Sequence, residues 1–299
     1  VHAYLARLEG DAWMLVDGGA DTDEAWEVLD AAVRGTTGGW GAVALHVVTH
    51  MHLDHLGLAA RVHDACGAPL AMGRLDAERA AGAAADPRGE AAYRANVLRE
   101  GGAPQRLWGW AEPGPTSPAP PPVAHALEGE AGPLPGAHGW RWLPTPGHTA
   151  GHLGLLRSAD GTLIGGDAVL PRITPTLGVN RQRADPVGDY LGTLERLRVA
   201  APRLILPGHG DPIPEPAARL AELRHEAEGE GSAVAALLAD AGSTAWEAAE
   251  TRYAGRDLPV AAELQALRET LAHLHRLHRL GELRRETLAD GAARFRRGG

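Results

Sequence analysis

Cysteine is nearly missing from this chain: Cys66 is the only one in 299 residues. No intrachain disulfide is possible, and the redox compartment stays unconstrained. Cys66 lies in Asp64-Ala65-Cys66-Gly67-Ala68-Pro69 and reads as a small buried apolar side chain. A long apolar run is also missing, so no membrane span is expected. The opening Val1 to Glu9 lacks the basic start and apolar stretch of a secretory leader. The expectation is a cytoplasmic protein with no membrane partner. Positive charge is in deficit too. A formal net charge of −9 argues against broad capture of nucleic acid. No Ser/His/Asp triad or activated cysteine is evident, which turns attention away from covalent catalysis. Hydrophobic content of 44% is ordinary for a globular protein. The length allows one large domain or two unequal ones.

What the chain does have is histidine in company. Thr49-His50-Met51-His52-Leu53-Asp54-His55 sets three imidazoles and a carboxylate into six consecutive positions, directly after an apolar run. Imidazole with carboxylate suits zinc, iron or manganese. Four such groups exceed what one tetrahedral ion uses while keeping an open position, so the run points to two ions if further ligands arrive. Three later segments repeat the design of apolar stretch, tight Gly/Pro turn and ligand-type residue. Trp140 to Gly147 leads to His148, Thr162 to Gly166 leads to Asp167, and Arg203 to Gly208 leads to His209. Short apolar runs bounded by turn signals read as buried strands. Ligands just beyond strand ends converge on one edge of a sheet.

On these residues the chain resembles the metallo-β-lactamase-fold hydrolases. His50-x-His52-x-Asp54-His55, then His148, Asp167 and His209, match that family's metal ligands in order and context over roughly residues 1 to 215. The resemblance implies a four-layer αβ/βα sandwich with the metals at one edge. It implies that His50, His52 and His148 hold a first ion, that Asp54, His55 and His209 hold a second, and that Asp167 bridges them. Two divalent cations are the implied cofactors, zinc first, manganese or iron as alternatives. Asp at 167, where some true β-lactamases carry Cys, points to the dinuclear hydrolase branches.

The other histidines read differently. His152 is a packing or ligand-supporting residue. His273, His275 and His278 read as a solvated helix face. His2, His46, His63, His125, His138 and His225 carry no ligand-type company. Asp17, at the end of a second strand, reads as a turn or ligand-supporting residue.

Along the chain, Ala3 to Leu8 and Ala12 to Val16 read as a strand pair, followed by a helix from Thr22 to Arg34 with Thr22 as its cap. Leu56 to Ala65 reads as a helix. Residues 76 to 139 look less regular, apart from a helical portion within Asp86 to Arg99. The Pro-rich stretch 113 to 122 does not build a sheet. Trp108 and Trp110 either line an acyl or aromatic pocket or anchor this segment to the core. Past Asp167, Arg172, Asn180, Arg181 and Arg183 are the polar candidates for holding a substrate carboxylate or phosphate. Asp185-Pro186 is a helix start. A boundary falls near 215, dividing a catalytic domain (1–215) from a mainly helical C-terminal one (216–299). In the latter, a helix to about Glu228 and another over Ser232 to Leu238 are expected, then one over Ala261 to Leu280. This tail resembles the small winged-helix tail of one family branch, which has endoribonuclease-like and thioesterase-like members. Its Arg294-Phe295-Arg296-Arg297 end reads as disordered and solvated.

Two cations lower the pKa of a shared water, and Asp54 is the catalytic candidate to orient it. The leading expectation is hydrolysis of a small carboxylic ester-type substrate: a thioester, lactone or ester, free or carrier-bound. The alternatives are an endoribonuclease or phosphodiesterase, and a mononuclear iron dioxygenase acting on sulfur. Apolar positions along the tail also predict burial against the catalytic domain or in a homo-oligomer.

Overall fold

The computed structural model describes residues 1–112 and 119–298. Short strands rich in Leu, Val and Ile, each with residues alternating between two faces, assemble two five-stranded sheets. The first contains β1 (Tyr4–Arg7), β2 (Trp13–Val16), β3 (Val43–Val48), β4 (Leu70–Gly73) and β5 (Val123–Leu127) in that order. The second runs β10-β9-β8-β7-β6. Its members are β6 (Gly132–Pro133), β7 (Trp140–Pro144), β8 (Leu153–Arg157), β9 (Thr162–Gly166) and β10 (Leu204–Pro207).

β3 shows why the sandwich holds. Leu45 and Val47 enter the core between the sheets with Met14, Val16, Trp140 and Ile164. Val43 and Val48 go to the opposite face, under helices. Each fully buried aliphatic side chain of this kind contributes about 1.5–3 kcal/mol. On the outer face of the first sheet lie α1 (Asp23–Thr37), α3 (Ala59–Cys66) and α4 (Arg74–Ala85), and α2 (Leu53–Leu56) precedes α3. The Thr22 side chain caps α1, accepting from Ala25 N at 3.1 Å. The outer face of the second sheet is covered by α6 (Pro186–Ala200) and the first half of α7 (Pro216–Ala236). The architecture is the four-layer αβ/βα sandwich, with a C-terminal helical region beyond it.

That region contains α8 (Ala245–Arg252), α9 (Val260–Arg279) and a three-stranded sheet of order β11-β13-β12. The strands are β11 (Ser243–Thr244), β12 (Leu283–Thr287) and β13 (Ala293–Arg297). Its core is shared. Leu267, Leu271, Leu274 and Phe295 pack with Val97 and Leu98 of α5 (Pro87–Gly101) and with Leu107. α7 also straddles two cores, Leu220 and Leu223 in the sandwich and Val234 in the C-terminal cluster.

Four sequence expectations are corrected. α7 is one unbroken helix, not two, because burial on both sides outweighs the roughly 1 kcal/mol that each of Gly229 and Gly231 costs. Residues 76–85, expected to be less regular, fall within α4 (Arg74–Ala85). The Arg-rich end is strand β13, anchored by fully buried Phe295. His273 is buried, and His275 bonds Glu100 at 2.9 Å, so neither lies on a solvated helix face; of the three histidines, His278 alone is exposed. Within the Pro-rich stretch, residues 113–118 lie outside the described residues. No described helix is long and apolar enough to cross a membrane.

Candidate metal centre

β3, β7, β9 and β10 end at the same edge of the sandwich, and each delivers ligands just past its C-terminal end. His50 Nε2, His52 Nδ1 and His148 Nε2 form one trio: His52 Nδ1 is 3.1 Å from His50 Nε2 and 2.9 Å from His148 Nε2. Asp54, His55 and His209 form another, with His209 Nε2 3.0 Å and His55 Nε2 3.6 Å from Asp54 Oδ2. Asp167 stands between them. Its Oδ1 is 3.5 Å from His55 Nε2, and its Oδ2 is 3.6 Å from both His148 Nε2 and His209 Nε2. A tetrahedral zinc site with bonds of about 2.0–2.1 Å has ligand–ligand edges of about 3.3 Å. These separations bracket that value.

Two further observations fit a pair of cations. The buried atoms His55 Nε2 and Asp167 Oδ1 face each other with no hydrogen-bond partner. Orphaned buried lone pairs are costly unless something positive satisfies them. The space is also kept open by glycine. A Cβ at Gly208 would fall 2.3 Å from Asp167 Oδ1 and 2.7 Å from His55 Cε1.

The imidazole tautomers are set from behind. The Asp17 carboxylate accepts from His55 Nδ1 at 2.8 Å and from Thr49 Oγ1 at 2.9 Å. Thr49 Oγ1 in turn accepts from His50 Nδ1 at 3.1 Å. This leaves the Nε2 lone pairs of His50 and His55 for the centre. Asp17 takes a left-handed conformation, φ 58°, to reach both partners. His148 Nδ1 donates to Thr176 O at 3.0 Å. His152 Nε2 accepts from Asp167 N at 3.0 Å, and its Nδ1 bonds Thr145 Oγ1 at 2.7 Å. Burial pushes His152 down to about 3, which keeps that acceptor neutral. Burial, reinforced by neighbouring imidazoles, also pushes His50 and His52 well down. Burial works the same way on His55, but Asp17 and Asp167 outweigh it and lift the ring to about 10. The local negative charge attracts a cation there, proton or metal.

Asp76 was not singled out in the sequence. Fully buried on α4, its carboxylate accepts from Met51 N at 2.9 Å, Thr149 Oγ1 at 2.6 Å and Gly151 N at 2.6 Å. It fastens the 50–55 loop to the 148–152 loop. Nothing in its local sequence marks it, because its partners lie 25 to 75 residues away.

The substrate candidates are scattered. Trp108 and Trp110 pack on the C-terminal core, Trp110 lying under the Arg268 guanidinium at 5.6 Å. Arg172 is exposed and pairs with Asp211 at 3.2 Å. Arg183 makes a fork with Asp189 at 2.5 and 2.6 Å. Asn180 and Arg181 line a small cavity that also opens on His52 and His148.

The fold and the paired His/Asp cages define a metallohydrolase-type sandwich. The chain belongs to the metallo-beta-lactamase superfamily, whose profile matches residues 1–209. A second profile, the metallo-beta-lactamase-like C-terminal domain, matches residues 232–298. A solved metallo-beta-lactamase family protein of Thermus thermophilus is similar over 99% of this chain and 93% of its own, with 28% identity and a TM-score of 0.81. A beta-lactamase domain protein from Burkholderia ambifaria is 30% identical, covering 99% of this chain and 86% of its own, also with a TM-score of 0.81. The probable metallo-hydrolase YqjP of Bacillus subtilis is 35% identical over 85 residues, a match that spans only 27% of either chain.

Proposed function

We propose that this protein is a dinuclear metal-dependent hydrolase acting on a small carboxylic ester-type substrate, a thioester, lactone or ester. The observation that carries the reading is Asp167 set between two complete ligand trios, with one oxygen orphaned toward His55. A mononuclear iron site would leave the second trio without purpose. Two bound divalent cations, zinc by ligand type, would supply an acidified water and polarise a carbonyl.

The chain's own residues do the rest. Asp54 Oδ2 stands 3.0 Å from His209 Nε2 at the open side of the centre, where it orients the attacking water and takes its proton. Asp17 and Thr176 hold His55 and His148 in the ligand tautomer through the cycle. The cavity beside His52 and His148 holds about 80 Å³, below the roughly 300 Å³ of a drug-sized pocket. That room takes a short acyl arm, and the net charge of −9 favours a small substrate over a polyanion.

One feature supports phosphodiester cleavage as a second reading. Arg284 and Arg296 sit directly opposite each other across β12 and β13, both exposed. Like charges so paired cost stability unless an anion relieves them. Zinc-loaded protein assayed against 4-nitrophenyl esters, acyl thioesters, lactones and bis(4-nitrophenyl) phosphate separates the two. The ester or thioester is expected to be turned over fastest. Phosphodiester turnover that exceeds it, with salt-sensitive RNA binding, would replace the first reading with the second.

A further inference from the structure

The 80 Å³ cavity beside the first trio is lined by arginines from three parts of the fold: Arg79 on α4, Arg181 after the Asp167 loop, and Arg268 on α9. Only two of them have a counter-charge. Glu90 pairs with Arg79 at 2.5 Å and with Arg181 at 3.7 Å. Arg268 has no carboxylate within ion-pair distance among the described residues. Its NH2 makes one long hydrogen bond, 3.3 Å to Val179 O, and its plane rests over Trp110. The backbone makes way for it. A Cβ at Gly178 would fall 3.3 Å from both Cζ and NH2 of Arg268.

Arg268 is half-buried, and most of its five donors have no protein partner; a planar fork of this kind is matched by a carboxylate. We infer that Arg268, seconded by Arg181, is the binding subsite for a carboxylate on the substrate's acyl arm, so that the preferred substrates are monoesters or monothioesters of short dicarboxylic acids. The same cavity is lined by this subsite and by His52 and His148, so that a short acyl arm held there lies beside the centre. The C-terminal region thereby contributes a specificity determinant to a centre whose metal ligands all lie before residue 210.

This inference rests on the ester-hydrolase reading, and the experiment keeps the two apart. Zinc-loaded wild type, Arg268→Gln and Arg181→Gln are assayed with 4-nitrophenyl hemiglutarate and with neutral 4-nitrophenyl butyrate. Metal content is measured on each protein. Wild type is expected to favour the hemiglutarate through KM. Arg268→Gln should raise that KM by about tenfold to a hundredfold, while leaving butyrate kinetics and metal content within about twofold. Arg181→Gln, at a half-exposed position outside the core, should move the same parameter less and guards against a misfolded Arg268 variant. Equal effects on both esters, or no preference in wild type, would overturn the subsite. If neither ester is hydrolysed, the function reading fails and calorimetry with glutarate and butyrate decides the subsite. Glutarate binding that is tighter than butyrate in wild type and equalised in Arg268→Gln supports it; no difference overturns it.

Discussion

The two halves of the metal centre are built differently. In the first, the side chains of His50 and His148 are 0% and 8% exposed, and each Nδ1 is tied to a fixed partner. In the second, Asp54 and His209 are 44% and 40% exposed. Only His55 there is locked from behind, by Asp17. Among the described residues, no hydrogen bond outside the ligand set holds the His209 ring. In the first half two of three rings, His50 and His148, are buried with their tautomers fixed, and the second half is a mouth. Rigidity retains an ion, and openness admits water and substrate. The difference puts solvent access at the Asp54/His209 side, and under the proposed function exchange and proton transfer would follow there.

Asp167 joins the halves, so its removal should have the largest effect. Asp167→Ala takes away an oxygen from each half and leaves the positive field of two cations uncompensated. Activity should fall roughly a thousandfold, and elemental analysis should find at least one metal equivalent lost. The residue lies past the end of β9 at the sandwich edge, so the melting temperature of the metal-free proteins should differ little. A fully metallated, active variant would show that Asp167 does not join the two halves.

The asymmetry itself predicts graded metal loss. Titration with a chelator should remove about one equivalent well before the other, the two affinities differing by about tenfold or more. His209→Ala should lose the easily removed ion alone, and His50→Ala should lose the tightly held one. Simultaneous release of both ions in wild type would mean that exposure does not rank the half-sites.

How much of this was legible in the sequence follows from the range of the interactions. His50, His52, Asp54 and His55 cluster directly after an apolar run, and His148, Asp167 and His209 each follow an apolar run and a Gly/Pro turn, local patterns that a reader can see. The family resemblance carried by those residues implied the sandwich, and the Asp185-Pro186 helix start was legible locally, where Asp185 accepts from Gly188 N at 2.8 Å. Asp76, Thr176 and Arg268 were not legible. Each acts on partners far along the chain from within an ordinary-looking helix or loop. His273 was misread because α9 buries two faces, Ala272 against the sandwich core and Leu271 and Leu274 against the C-terminal core. The stripe Leu264, Leu267, Leu271 and Leu274 is plain in the sequence, but His273 lies off it, and its burial comes from the second packed face. The Arg-rich end was readable in retrospect, since Ala293 and Phe295 alternate inward while Arg296 faces out.

The C-terminal region braces one half only. α9 holds the loop that carries the His148 acceptor: Gln265 Nε2 donates to Thr176 Oγ1 at 2.6 Å, Leu177 N to Glu269 Oε1 at 3.1 Å, and Val179 N to Arg268 O at 3.3 Å. Among the described residues, no such bond from α9 reaches Asp54, His55 or His209. Burial raises the Glu269 carboxyl, yet the Leu177 N–H and Gln265 favour its charged form. Glu269→Ala should leave the Leu177 N–H without its acceptor and let Thr176 drift from His148 Nδ1. The tightly held ion should then bind up to about tenfold more weakly, and the loosely held ion should be unaffected. Glu269→Gln keeps an acceptor at the same place and should restore most of the loss. Competition with a chromophoric chelator reads both affinities in one titration. Equal weakening of both ions would make the tail a general clamp on the centre, and no change in either would leave the His148 loop standing without α9.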